Sequence, residues 1–193
     1  MSVRETILKA ITANKPALVS LPVMNIADVI QYDDITAQFK KTLEGIGGKV
    51  VELVDWEQLK NEIDDEQKNG SYIINTLPEL GLVEEGISKL TASQLESVEK
   101  AYIRGTLGVA ENGSVWLYET QLINRLLPFI CQHLILVMEK KNIVATMHQA
   151  YQQIDSGREG FGVFIAGPSK TADIEQSLVI GAHGARSLVV YLV

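Results

Sequence analysis

The chain has 193 residues, with 17 Lys+Arg against 24 Asp+Glu for a formal charge of −7, and 46% of its residues are hydrophobic. That length suits one domain with a full hydrophobic core. The acidic balance supplies no net basic field to recommend nucleic acid or an anionic membrane as a partner. A single cysteine, Cys131, excludes an internal disulfide and any all-cysteine iron–sulfur cluster held by this chain alone.

The first ten residues carry Glu5 and Lys9 where a signal peptide needs an apolar stretch. The most apolar window, 126–138, is interrupted by Pro128, Gln132 and His133 and is shorter than the roughly 20 residues that a membrane span requires. The expectation is a cytoplasmic protein.

In chain order, Ser2 and Glu5 form a capping-box pattern, and Val3, Ile7, Leu8 and Ile11 follow at helical spacing, which predicts a first helix to about Asn14. Residues 15–31, with Pro16 and Pro22, read as an irregular connection. Asp33 and Asp34 offer N-caps to a helix that carries Ile35, Phe39, Leu43 and Ile46 on one face and stops at Gly47-Gly48. A β-branched run at 49–54, a polar helix capped by Asp55 and ended by Gly70, and a second short strand at 71–74 suggest a βαβ unit. Residues 77–90 are ambiguous. Ser93 with Glu96 repeats the capping-box pattern and predicts a short helix to about Lys100.

The second half reads more clearly. Runs 107–110 and 114–117 flank Glu111-Asn112-Gly113, a hairpin signal. Residues 133–138 read as a buried strand, and Asn142 as the cap of a helix with Ile143, Met147, Ala150, Tyr151 and Ile154 on one face. Strands are expected at 162–165 and 188–193, the last apolar on both faces and so in the middle of a covered sheet. The fold class is α/β.

Three constellations are candidates for chemistry. The first is Gly167-Pro168-Ser169-Lys170-Thr171 with Asp173 and Glu175, directly after a strand. A tight turn at a strand's carboxyl end, followed by hydroxyls and a lysine, suits an anion or carboxylate pocket, and a plain structural turn is the alternative. It is not a phosphate-binding P-loop, since no Gly-Lys-Ser/Thr completes the spacing. The second is His183 between Gly181-Ala182 and Gly184, an imidazole suited to acid–base work or to holding a turn. The third is Glu111 on the hairpin, a candidate nucleophile or base, or else a turn residue. Arg125 could grip a carboxylate bidentately or cap a surface. His133 and His148 have no ligand-like spacing, and no clustered Cys/His pattern marks a metal site.

The run from Gly167 to Glu175, followed by Gly181-Ala182-His183-Gly184-Ala185-Arg186 and a final apolar strand, resembles the C-terminal signature of the LUD (lactate utilization) family, in its protein C branch. The Ala110-Glu111-Asn112-Gly113-Ser114 turn, then Arg125, Leu127 and Pro128, is similar to that family's upstream pattern, with Asn112 in place of the usual threonine. The resemblance is strong over 105–193 and general over 1–104. It implies a single LUD domain over 1–193 with a three-layer α/β/α fold of the NagB/RpiA/CoA-transferase kind, around a mostly parallel sheet. It also implies a component of a system that oxidises L-lactate to pyruvate, with iron–sulfur clusters on LUD-type partner chains and no cofactor on this one.

On that resemblance the site would comprise Glu111 and His183 as proton-transfer candidates. Asn112, Gly113, Ser114, Arg125, Gly167, Ser169, Lys170, Thr171, Asp173, Glu175 and Gly184 would surround a small carboxylate or other anion. Two other readings stand beside it. Glu111-Asn112-Gly113 resembles the turn of family I CoA-transferases, whose glutamate becomes a glutamyl-CoA thioester, and the chain could also be a non-catalytic assembly module.

Overall fold

The computed structural model describes the chain except Met1, Leu21, Val23, Met24, 26–29, 82–84, Ser156, Arg158 and 173–177, and gives the backbone alone at 171, 172, 178 and 179. Its centre is a five-stranded, wholly parallel sheet of β1 (Lys49–Glu52), β2 (Ile73–Asn75), β3 (Lys100–Arg104), β6 (His133–Met138) and β11 (Ser187–Leu192), in the order β1-β11-β6-β3-β2. A second sheet of four strands is mixed: β4 (Leu107–Val109), β5 (Ser114–Tyr118), β7 (Ile143–Val144) and β8 (Gly162–Ile165), in the order β7-β4-β5-β8. A two-stranded antiparallel arm pairs β9 (Lys170–Ala172) with β10 (Leu178–Ile180).

Side-chain alternation along the strands sets the layers. Ile135 and Val137 of β6 face one way, with Tyr102 and Tyr191, and pack against Leu59 and Ile63 of α3 (Trp56–Lys68). Leu134, Leu136 and Met138 face the other way, with Ala101, Ile103, Leu188, Val190 and Leu192. That second face is covered by Phe39 and Leu43 of α2 (Ile35–Gly45) and by Val115 and Leu117 of the mixed sheet. The outer face of the mixed sheet carries Leu107, Val109, Trp116 and Phe164, on which Ala150 and Met147 of α7 (Met147–Gln153) pack. The α/β class with a mostly parallel central sheet and helices on both sides is therefore observed. A mixed sheet shares one of the covered faces.

Local signals explain most elements. Ser2 and Glu5 close the expected capping box of α1 (Val3–Ala13). Asp34 accepts from the Ala37 amide and Asp55 from the Glu57 amide, starting α2 and α3. Three elements differ from expectation. The capping box near residue 93 is made by Thr91 and Gln94, so α4 is only Ala92–Leu95, and Lys100 opens a strand instead of ending a helix. Asn142 lies in a 3₁₀ turn, while Thr146 with Gln149 caps α7 and leaves Ile143 to β7. The hairpin exists, but Val109 pairs with Ser114, so the connection is the four residues 110–113, one more than the expected Glu111-Asn112-Gly113. Among the described residues, no helix is long and apolar enough to cross a membrane.

Candidate functional site

The segment after β8 and the segment before β11 meet. Ser169 donates its amide to the Ala185 carbonyl at 2.8 Å and accepts the Gly181 amide at 3.0 Å, so the two candidate loops are tied by backbone. Two glycines make this approach possible. Gly167 sits at φ +71°, where a Cβ would lie 3.0 Å from the Ile46 carbonyl oxygen, and a Cβ on Gly184 would lie 3.1 Å from the Ser169 Cβ.

Between these loops lies a cavity of about 250 Å³ whose lining includes Gly167, Ser169, His183 and Gly184. Its apolar wall is Pro128 and Phe129 on one side and Phe164 of β8 on the other, and Leu134 and Leu188 form the floor. Leu134 and Leu188 are the second residues of β6 and β11, so the cavity opens at the amino ends of the parallel strands. The expected turn at a strand's carboxyl end is present after β8, but that strand belongs to the mixed sheet, so the cavity does not lie at the carboxyl edge of the parallel one. The apolar wall was not singled out from sequence as part of a site. The run Leu127-Pro128-Phe129 was its available signal.

Chain geometry brings Phe129 to the rim. Ile123, a β-branched residue, is held at φ 59°. The buried Asn124 next to it donates to the Ile87 and Leu90 carbonyls at 2.9 and 3.0 Å and accepts the Leu126 amide at 3.0 Å. This network over-determines the turn that leads from α5 (Glu119–Leu122) into α6 (Leu127–Ile130).

The other candidates fall elsewhere. Lys170 is exposed on β9, pairs in register with Ile180, and is not in the cavity wall. Thr171 has its backbone in the same arm, opposite Val179. Asp173 and Glu175 lie outside the described residues. Arg125 is engaged: its guanidinium donates to both oxygens of Glu119 at 2.8 and 2.9 Å and stands 5.1 Å from the Phe161 ring centroid.

The Glu111 hairpin does not face the cavity either. Glu111 accepts the Met147 amide at 2.9 Å, which fixes its carboxylate on the first turn of α7. Asn112 accepts from both the amide and the hydroxyl of the buried Ser114, at 3.0 and 2.7 Å. Gly113 packs against α2, where its Cβ would sit 2.9 Å from the Leu43 backbone. These contacts hold the hairpin against α2 and α7. They give Glu111, Asn112, Gly113 and Ser114 structural partners.

The arrangement selects a mode of binding. The Ser169 amide is already spent on Ala185, so it is not free for an anion. Among the described residues, the polar side chains left on the cavity wall are the Ser169 hydroxyl and the His183 ring, over an otherwise apolar surface. A hydroxyl and an imidazole N–H can donate to the two oxygens of one carboxylate while the apolar wall holds a short carbon skeleton. His133 takes no part: its Nδ1 lies 2.7 Å from the Ser187 hydroxyl.

The LUD domain family model matches residues 67–193, which include every cavity residue named above. The chain belongs to the LUD domain family. The match begins well upstream of residue 105 and takes in β2 and β3, while α1, α2 and β1 lie before it. The chain is 33% identical over 120 residues to lactate utilization protein C of Shouchella clausii, covering 60% of this chain and 52% of that protein. It is 36% identical over 91 residues to the protein of the same name from Bacillus pumilus, covering 44% and 38%. The chain thus spans about half or less of the length of these relatives. A solved structure of a DUF162 family protein from Deinococcus radiodurans shares the fold, with a TM-score of 0.62 at 21% identity, covering 82% of this chain and 95% of that one.

Proposed function

We propose that this LUD chain is a component of a system that oxidises L-lactate to pyruvate, and that its cavity at Ser169 and His183 receives a small carboxylate. The observation that carries the reading is the likeness to proteins named lactate utilization protein C, together with a LUD domain match over 67–193 that takes in the whole cavity. The geometry supports it through two side-chain donors on an apolar wall of a size suited to a few-carbon acid.

The residues of this chain do not fit an iron–sulfur cluster. Its one cysteine is buried, and burial pushes the Cys131 thiol up to about 12. The proposed division of labour therefore puts clusters and electron transfer on LUD-type partner chains. This chain holds and orients the carboxylate, with His183 at the solvent-facing rim as the group that moves a proton. The acyl-transfer reading gains no support, because Glu111 is held on α7 and does not line the cavity.

The test is twofold. Deleting the gene in a strain with no second lactate route should abolish growth on L-lactate and spare growth on glucose. In NMR titrations, L-lactate or pyruvate should shift resonances of Ser169 and Gly184. Normal growth of the deletion strain together with flat titrations would overturn the proposal.

A further inference from the structure

A second cavity, also of about 250 Å³, lies on the outer face of the mixed sheet and shares no lining residue with the first. Aromatic residues dominate its wall: Trp116 and Tyr118 of β5 and Tyr151 of α7, while Phe161, just before β8, borders it with its ring packed against the core of the other face. Two carboxylates, Asp155 and Glu159, complete it among the described residues.

The rings are held as a set. Trp116 and Tyr118 meet edge-on at 5.6 Å between centroids, and Trp116 packs on Phe164 at 4.7 Å, with Tyr151 edge-on to Phe164 at 5.9 Å. Gly162 is required here, because a Cβ at that position would lie 2.2 Å from the indole ring. The loop that bears the carboxylates is pinned at both ends. The Asp155 amide donates to the Tyr118 hydroxyl at 3.1 Å, and the Thr120 amide and hydroxyl donate to Glu159 at 2.8 and 2.7 Å. Tyr151 is 66% exposed and forms the rim.

Two observations point to an occupant. Three aromatic residues, Trp116, Tyr118 and Tyr151, and the two acidic residues Asp155 and Glu159 border one space. Trp116 Nε1 is the one buried side-chain polar atom without a hydrogen-bond partner among the described residues. Aromatic faces and carboxylates favour a positive charge, and apolar rings favour a poorly hydrated one. An unpaired buried N–H favours an occupant that brings an oxygen acceptor. The volume is below that usual for drug-sized ligands, so the occupant is small.

We propose that this aromatic cavity binds a small, free alkylated ammonium ion that also carries an oxygen acceptor, of the choline or betaine type. The site is separate from the Ser169–His183 cavity, and the proposal does not rest on the role assigned to that one.

The test uses the full chain and tryptophan fluorescence, with Trp56→Phe as background so that Trp116 alone reports. Choline should bind saturably and shift the Trp116 emission. Its neutral carbon isostere, 3,3-dimethylbutan-1-ol, should bind about tenfold more weakly. Tyr151→Ala and Asp155→Asn should each weaken choline binding while the melting temperature stays near that of the parent. The same ammonium chemistry on a protein is presented as a trimethyllysine peptide, which should bind more weakly than choline. No saturable response to choline or betaine, equal binding of the isostere, unchanged binding in both variants, or a preference for the peptide would each overturn the assignment.

Discussion

Gly167 fixes the turn that delivers Ser169, and Gly167→Ala probes that role. At φ +71° a residue with a Cβ costs about 1–2 kcal/mol in the left-handed region. The new methyl would also stand 3.0 Å from the Ile46 carbonyl oxygen and 3.2 Å from its Cγ1, at the end of α2. Forcing a methyl into such a contact adds roughly 1–2 kcal/mol. The total, about 2–4 kcal/mol, corresponds to a fall in melting temperature of roughly 5–15 °C for a chain of this size. Gly184→Ala is the internal comparison. Its Cβ has one tight contact, the Ser169 Cβ at 3.1 Å, and its φ is not positive, so the loss should be about 1 kcal/mol. Calorimetry with urea denaturation measures both. A Gly167→Ala protein melting within about 1 °C of wild type, or one more stable than Gly184→Ala, would refute the argument that backbone geometry sets this loop.

Three further outcomes follow from the same contacts. Glu111→Ala should lose its grip on the Met147 amide and cost about 0.5–1 kcal/mol, with lactate-dependent growth retained; after incubation with acyl-CoA, mass spectrometry of wild type should show an unmodified Glu111. The Cys131 thiol rises from 9.0 to about 12 through burial, so the native state keeps a proton that the unfolded chain releases. Stability on that account is complete below pH 9 and is lost as pH rises toward 12, by up to about 1.4 kcal/mol per unit. Burial and then Glu66 also raise the Tyr102 phenol, which steepens the loss above pH 10; urea midpoints between pH 8 and 11 check the sign, and Cys131→Ala should flatten the slope. His183→Ala, at an exposed rim position, should change stability by no more than about 0.5 kcal/mol while removing carboxylate binding measured by NMR.

Local chemistry was legible where the cause is local. Asp34 and Asp55 announce α2 and α3 because each side chain bonds an amide two or three residues on. The run 133–138 reads as a buried strand because β11 and β3 flank it and both of its faces are covered. The helix expected to about Lys100 stops at Leu95 because Thr91 and Gln94, not Ser93 and Glu96, make the cap, and the strand Lys100–Arg104 depends on pairing with β6, which is invisible from neighbours in sequence. The site divides in the same way. Gly167, Ser169, His183 and Gly184 share one cavity, as the turn-forming glycines suggest. Glu111 and Arg125 were attractive as free groups, and their partners Met147 and Glu119 become visible only in three dimensions. Phe129 and Phe164 border the cavity from distant segments, so no spacing rule links them.

The central claim is that the Ser169–His183 cavity serves lactate oxidation, and complementation of the deletion strain tests it most directly. Wild type should restore growth on L-lactate. The Ser169→Ala/His183→Ala double variant, shown by its melting temperature to be folded, should not. Growth of that folded double variant at the wild-type rate would contradict the account.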